Sequence, residues 1–514
     1  MRHAPAFVAA LAVALLACGR PSDPEGWAKQ AARRNRLDEK MEALEQVRRV
    51  PGDRRAAGPA LREVLKQAPR ARGEAALVLG EIGDPAAIPD LLAALEPEAK
   101  DREVIDANRR IADALGALGA KEAVPPLVRL TASPDGFTQV AAIDALGAIG
   151  DAAAVEPLVA IARDEGAEPF TRKKALLALG RIGDPRAAPA VLRMLFEEKP
   201  GVSFYPEAAF AAVQIGRPMA APLVAVLEGR DADLAGWART HGVVSGALVA
   251  KSAQLLGDVG DAAAVPALVA KLGYRDPLAE VELFVRVYAA ESLGRMRARD
   301  AVRPLLDAVA RERNVDARDR FCDALARIGD ASAVAALEKA TAGGWDDREG
   351  PLVAISRLGG DGERAFLAAA MAKDCGAGCA APQRRAYEGM LARLDAARAC
   401  ASDAACWAKR LSDPSAAVRD RAALEVGRAG GPGEAAALVD AIVHPVNDEA
   451  DVQARYHAVL ALGWVSSRAP LGEAGRDLAT RIDRMIAAEK GRNLTAGAND
   501  DALRVATRLR RQAR

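Results

Sequence analysis

The residues best suited to chemistry in this chain are its cysteines, and their spacing points to cross-links. Cys375 and Cys379 lie in DCGAGC, and Cys400 and Cys406 bracket CASDAAC. The intervening PQRRAYEGMLARLDAA reads as a helix, which at about 1.5 Å per residue separates the two pairs by some 20–25 Å. A disulfide needs Cα atoms within roughly 7 Å. The predicted pairs are therefore Cys375 with Cys379 and Cys400 with Cys406. The same separation disfavours one four-cysteine zinc site, and no metal is expected. Cys322, inside a helical stretch, is expected to be a buried free thiol. The four histidines are His3, His241, His444 and His457. There is no phosphate loop, no dinucleotide glycine fingerprint and no G-x-S-x-G elbow. No catalytic residue and no cofactor are expected, and the chain reads as a non-enzyme.

Aromatic rings are the other candidates. In a chain only 4% aromatic, Trp237 and His241 occur in EGRDADLAGWARTHGVVSG, and Phe204 and Tyr205 in KPGVSFYPEAAF. Interface anchors of this kind commonly carry about 2 kcal/mol or more. The expectation is a protein or peptide contact centred on these four residues and extended by Arg172 and Lys173. The competing expectation is that the rings fill a gap left by an insertion.

The elements that position them come from one repeated unit, ALLALGRIGDPRAAPAVLRML from Ala175 to Leu195. Leu176, Leu179 and Ile182, with Ala175 and Ala178, form one apolar helix face. Gly183 suits the left-handed residue that closes a helix, Asp184 a cap for the next, and Pro185 its first position. Pro189 marks a kink or the true start of the second helix, which buries Ala188, Val191, Leu192 and Leu195. Gly180 sits mid-helix, where it costs about 1 kcal/mol against Ala, so a neighbouring helix is expected to approach there. The unit recurs from Ala76, Ala112, Ile143 and Gln254, and in worn form from Ala290 and Cys322. Its turn glycine falls at 83, 119, 150, 183, 216 and 260, is replaced by Arg297, and returns at 329 and 359. Helical hairpins repeating every thirty-odd residues cannot bury their apolar faces alone and must stack. The step from Gly216 to Gly260 is the long one and carries an insertion near 229–246.

This wording resembles the HEAT-repeat family, and Ala-Leu-Gly-x-Ile-Gly-Asp is similar to its short phycobilisome-lyase-like subtype. The resemblance spans roughly residues 55 to 465 and implies an all-α fold, an α-solenoid of stacked antiparallel helix hairpins forming a HEAT-like superhelix. On activity it is nearly silent, because the matching residues are structural. Di-iron hydroxylases on this fold carry repeated His-Glu dipeptides, which this sequence lacks.

Residues 1–18 read as a secretory signal, with Arg2 and His3 before an apolar run too short to span a bilayer. Leu15-Leu16-Ala17-Cys18 resembles a bacterial lipobox, which implies lipid on Cys18 of the mature chain. Gly19 and Arg20 follow in place of Asp, which by resemblance to Gram-negative sorting favours the outer over the inner membrane. Export would supply the oxidising compartment that disulfides need. A tether over 19–26 leads to basic capping helices at 27–72, then the array at 73–465 and C-terminal capping helices at 466–514.

From Trp27 to Arg72 there are 13 Lys or Arg against 6 Asp or Glu. This stretch reads either as a solvated cap or as a contact to anionic headgroups. Basic positions on the first helices, such as Arg109, Arg172, Arg318 and Arg419, read either as a binding stripe or as a ladder paired with the turn aspartates. A net charge of +1 and interleaved acidic residues argue against nucleic acid. The expected function is a lipid-anchored, periplasm-facing scaffold of the cell envelope, binding an unidentified protein or peptide on the concave face or at the insertion. The alternative is a bilin-lyase-like or other cofactor-modifying enzyme on the same fold.

Overall fold

The computed structural model describes residues 20–376 and 378–513, so Cys18 and the signal lie outside the described residues. The chain divides into two compact units between Ala211 and Ala212.

In the first unit, hairpins pair a long first helix with a short second one: Pro69–Ile82 with Ile88–Ala94, Arg102–Leu118 with Val124–Leu130, Gly136–Ile149 with Val155–Arg163, and Pro169–Ile182 with Ala188–Met194. The turns follow the repeat wording, except that Ala120 takes the cap position before Val124–Leu130 with no side-chain bond. Gly183 closes its helix at φ 68°, and the Asp184 carboxylate accepts the Arg186 N–H at 2.9 Å. Residues 185–187 form one 3-10 turn, so Pro189 stands at the true start of the second helix. Leu176, Leu179, Val191 and Leu195 of the apolar stripes are completely buried, while Ile182 is half-buried. The first helices pack closely because glycine meets a small residue on the next repeat. A Cβ on Gly147 would lie 2.9 Å from the Ala178 Cα, and one on Gly180 would lie 2.9 Å from the Ala211 Cα. The first helix begins at Pro24 behind an Asp23 cap, inside the stretch read as a tether. A two-residue β-hairpin, Glu198–Lys199 with Val202–Ser203, interrupts the helices before Tyr205–Ile215.

The second unit continues the pattern with Ser245–Val259, Ala279–Arg295, Val315–Ile328 and Trp345–Leu358 as first helices. Where the repeat lacks its turn glycine, Arg297 adopts the left-handed conformation at φ 54°. The insertion is ordered, forming the helix Ala232–Thr240. Helices Ala416–Ala429, Glu449–Arg468 and Ala496–Gln512 do more than close the end of the stack. Trp464 donates its indole N–H to the Arg295 carbonyl at 2.8 Å, and Arg504 pairs with Asp258 at 2.8 Å. Arg511 donates twice to the Gln214 carbonyl, at 2.7 and 2.8 Å. The basic tail is therefore partly engaged in bonds to the start of this unit. No single described helix is long and apolar enough to cross a membrane.

Candidate functional site

The structure distributes the expected contact residues between core and surface. Arg172 is 0% exposed: its Nε donates to the Ala162 carbonyl at 2.9 Å and it pairs with Glu197 at 2.8 Å. Its guanidinium lies 4.5 Å from the centroid of Phe204, itself 0% exposed. Both are corrections to the contact reading, because a side chain filling the core has no surface left for a partner. Trp237, 8% exposed, is buried in the insertion helix with Leu234 and Ala238. His241 is exposed and stacks on Trp237 at 4.6 Å, with Nδ1 2.8 Å from the Trp237 carbonyl. Tyr205 is half-buried, and Lys173 is half-buried against Glu207 at 3.5 Å. Trp237 and His241 belong to the second unit, Tyr205 and Lys173 to the first.

The charge ladder exists with different partners from those expected. Turn aspartates such as Asp84, Asp151 and Asp261 accept backbone N–H groups two residues on. First-helix cations instead pair with carboxylates on neighbouring elements, Arg110 with Glu74 at 2.5 Å, Lys174 with Asp144 at 2.7 Å and Arg318 with Asp347 at 2.9 Å. In the basic N-terminal stretch Arg48 pairs with Glu81 and Arg49 with Glu45.

The surface holds residues that sequence reasoning passed over. Phe137 and Phe170 are 78% and 62% exposed, the two most exposed large apolar side chains among the described residues. Each sits near the start of a first helix, Gly136–Ile149 and Pro169–Ile182, and these helices pack on each other in adjacent repeats. Their spacing of 33 residues equals the Gly150 to Gly183 step, so they occupy one repeat position. Lys174 lies 5.6 Å from the Phe170 ring while pairing with Asp144. This arrangement performs no bond chemistry. It offers two apolar anchors, one helix spacing of about 8–10 Å apart, on the stacked hairpins that fix them.

The strongest electrostatic cluster is interior. Asp420 accepts from Arg357 Nε at 2.8 Å and pairs with Arg393 at 3.0 Å and with His457 Nδ1 at 2.5 Å. Arg357 also reaches Asp323 at 2.7 Å, and Arg327 closes the ring onto Asp323. Burial alone would raise the Asp420 carboxyl, but Arg357, His457 and Arg393 outweigh it and hold it well below the usual range. Burial lowers His457, with Asp420 opposing. Arg327 Nε, at 3.3 Å, points its N–H at His457 Nε2, so Nε2 must accept and the ring is neutral with its proton on Nδ1.

A histidine held neutral stabilises the fold above its unfolded value near 6.5, and the contribution is lost as pH falls, because the unfolded chain then binds the proton. Asp319, pushed up to about 6 by burial, acts with the opposite sign. The melting temperature is expected to fall between pH 7.5 and 5.5. In His457→Gln it should start lower and vary less; equal slopes in the two proteins would contradict this.

The cysteines pair locally, Cys375 with Cys379 at a Cα separation of 4.6 Å and Cys400 with Cys406 at 5.3 Å, on either side of the helix Ala381–Cys400. Cys322 is a buried free thiol. Among the described residues no group of three or more His, Cys, Asp or Glu could hold a metal ion.

Comparison with known proteins returns repeats of the same kind. The HEAT repeats family model matches residues 98–171 and 284–350, and the PBS lyase HEAT-like repeat model matches residues 71–97 and 171–197. Among solved structures, the chain is similar to the complex of CpcE and CpcF of phycocyanin lyase from Nostoc sp. PCC7120, at 25% identity over 53% of this chain and 94% of that one, with a TM-score of 0.27. Human deoxyhypusine hydroxylase in complex with glycerol is similar at 19% identity over 59% and 95%, with a TM-score of 0.21. Kap121p bound to Ste12p is similar at 11% identity over 92% and 52%, with a TM-score of 0.43. No curated protein matches the chain. The matched segments and the stacked hairpins show a chain that contains HEAT repeats, some of them of the PBS lyase HEAT-like kind.

Proposed function

We propose that the protein is a scaffold of the bacterial cell envelope, anchored through lipid on Cys18 and facing the periplasm, with the outer membrane favoured over the inner. The observation that carries the scaffold reading is the pair Phe137 and Phe170, held in repeat register and the two exposed large apolar side chains among the described residues of the first unit. Exposed rings of this size gain about 25 cal/mol per Å² when a partner covers them. The partner is a protein segment presenting apolar side chains roughly 10 Å apart, the span of three residues of extended chain. Mixed charge along the first helices supports a protein over a nucleic acid. The anchor rests on the wording that ends in Cys18.

Replacing Cys18 with Ala is expected to abolish fatty-acid labelling and to move the protein from the membrane to the soluble fraction. Labelling that persists in the variant would overturn the anchor and leave the docking edge untouched. A cofactor-modifying enzyme is the second reading, supported by the PBS lyase HEAT-like repeats. That reading requires turnover of a chromophore or similar cofactor by the purified protein, where the scaffold reading expects none.

A further inference from the structure

The second unit contains an open cavity of about 530 Å³, lined by first helices of the early repeats on one side and by helices Glu449–Arg468 and Ala496–Gln512 on the other. Its volume falls within the roughly 300–1,000 Å³ of small-molecule sites. Five arginines line it, 217, 295, 504, 508 and 511, against two aspartates. Both aspartates are already engaged. Asp258 pairs with Arg295 and with Arg504, and Asp501 pairs with Arg295 at 3.1 Å and Arg504 at 3.0 Å. Arg508 is half-buried, meets the Ser467 hydroxyl at 3.1 Å, and has no carboxylate within ion-pair distance among the described residues. Burial lowers its guanidinium below the usual range, with Asp258 opposing. Arg504, Arg508 and Arg511 follow a spacing of four and three, so they line the cavity from one face of the last helix, Arg511 at its exposed rim. Apolar groups stand beside these cations. The Trp464 indole N–H is taken by the Arg295 carbonyl, and its ring lines the cavity together with Val505 and the edge of Val459.

A partly buried cation with no carboxylate in ion-pair distance favours an anion that supplies one, and guanidinium groups bind carboxylate and phosphate through strong charge-assisted bonds. We propose that this cavity binds an amphiphilic organic anion, its carboxylate or phosphate at Arg508 and Arg511 and its apolar body against Trp464, Val459 and Val505.

The test titrates the fluorescent anion 8-anilinonaphthalene-1-sulfonate into the full chain, followed by displacement with octyl phosphate and with inorganic phosphate. One saturable site is expected. Arg508→Gln should weaken it by roughly tenfold or more, and Arg508→Lys should recover part of the loss. Val505→Trp, which fills the cavity and leaves the charges in place, should abolish binding, with the melting temperature showing that it still folds. Octyl phosphate should displace the probe at concentrations at least roughly tenfold lower than inorganic phosphate. Unchanged affinity in Arg508→Gln or Val505→Trp would overturn the site. Equal displacement by the two phosphates would overturn the amphiphilic class.

Discussion

Replacing Asp420 with Ala is expected to cost the fold about 3–5 kcal/mol, the range for removing one partner of a buried ion pair. Asp420 is 1% exposed and is the common acceptor for Arg357, Arg393 and His457, which come from three other helices. Its loss leaves the Arg393 guanidinium, already lowered to about 10 by burial, without its nearest carboxylate. Arg357 keeps only Asp323. At roughly 2–4 °C per kcal/mol for a unit of this size, the melting temperature should fall by about 10 °C. Glu45→Ala, which breaks an exposed pair with Arg49, should change stability by less than about 1 kcal/mol. The two melting curves decide the matter, and similar small shifts in both would show that the network does not hold the second unit together.

The second large effect is one of sign. Alanine is a better helix former than glycine by about 1 kcal/mol, so Gly→Ala inside an uncrowded helix should stabilise. Gly236, in the insertion helix, is such a place: a Cβ there would find only the Arg239 guanidinium, at 3.8 Å. Gly147 is the opposite case, since the added Cβ would lie 2.9 Å from both Cα and Cβ of Ala178 and force two repeats apart. Gly147→Ala is expected to destabilise by about 1–3 kcal/mol and Gly236→Ala to stabilise by about 0.5–1 kcal/mol. Chemical denaturation of both variants checks this. Stabilisation by both would mean that the first helices are not in contact through their glycines.

These cases show what the sequence makes legible. Turn chemistry is local, so Gly183, Asp184 and Pro185 announce a helix end, a cap and a helix start, and each does that work. Gly180 is legible for the same reason, because a mid-helix glycine inside a repeat implies a close neighbour. Contacts between residues hundreds of positions apart leave no local mark. Nothing in NDDALRVATRLRRQAR says that Arg504 and Arg511 reach Asp258 and Gln214. Arg172 misleads because a cation in a repeated basic position reads as exposed, whereas the Ala162 carbonyl and Glu197 draw it into the core. Phe137 and Phe170 were within reach, since their spacing matches the repeat step. The insertion stands out because it breaks the pattern, while the exposed rings lie where the pattern is kept.

The central claim is that this stack presents Phe137 and Phe170 to a protein partner. It is tested most directly by placing a photo-crosslinking amino acid at 137, at 170 and at the exposed turn position Glu122 in cells, with the full chain in its envelope. The account predicts one discrete adduct of the same size from 137 and from 170, none from 122, and loss of the adduct at each ring position when the other ring is changed to Ser. No adduct at either ring, or the same adducts from 122, would contradict it.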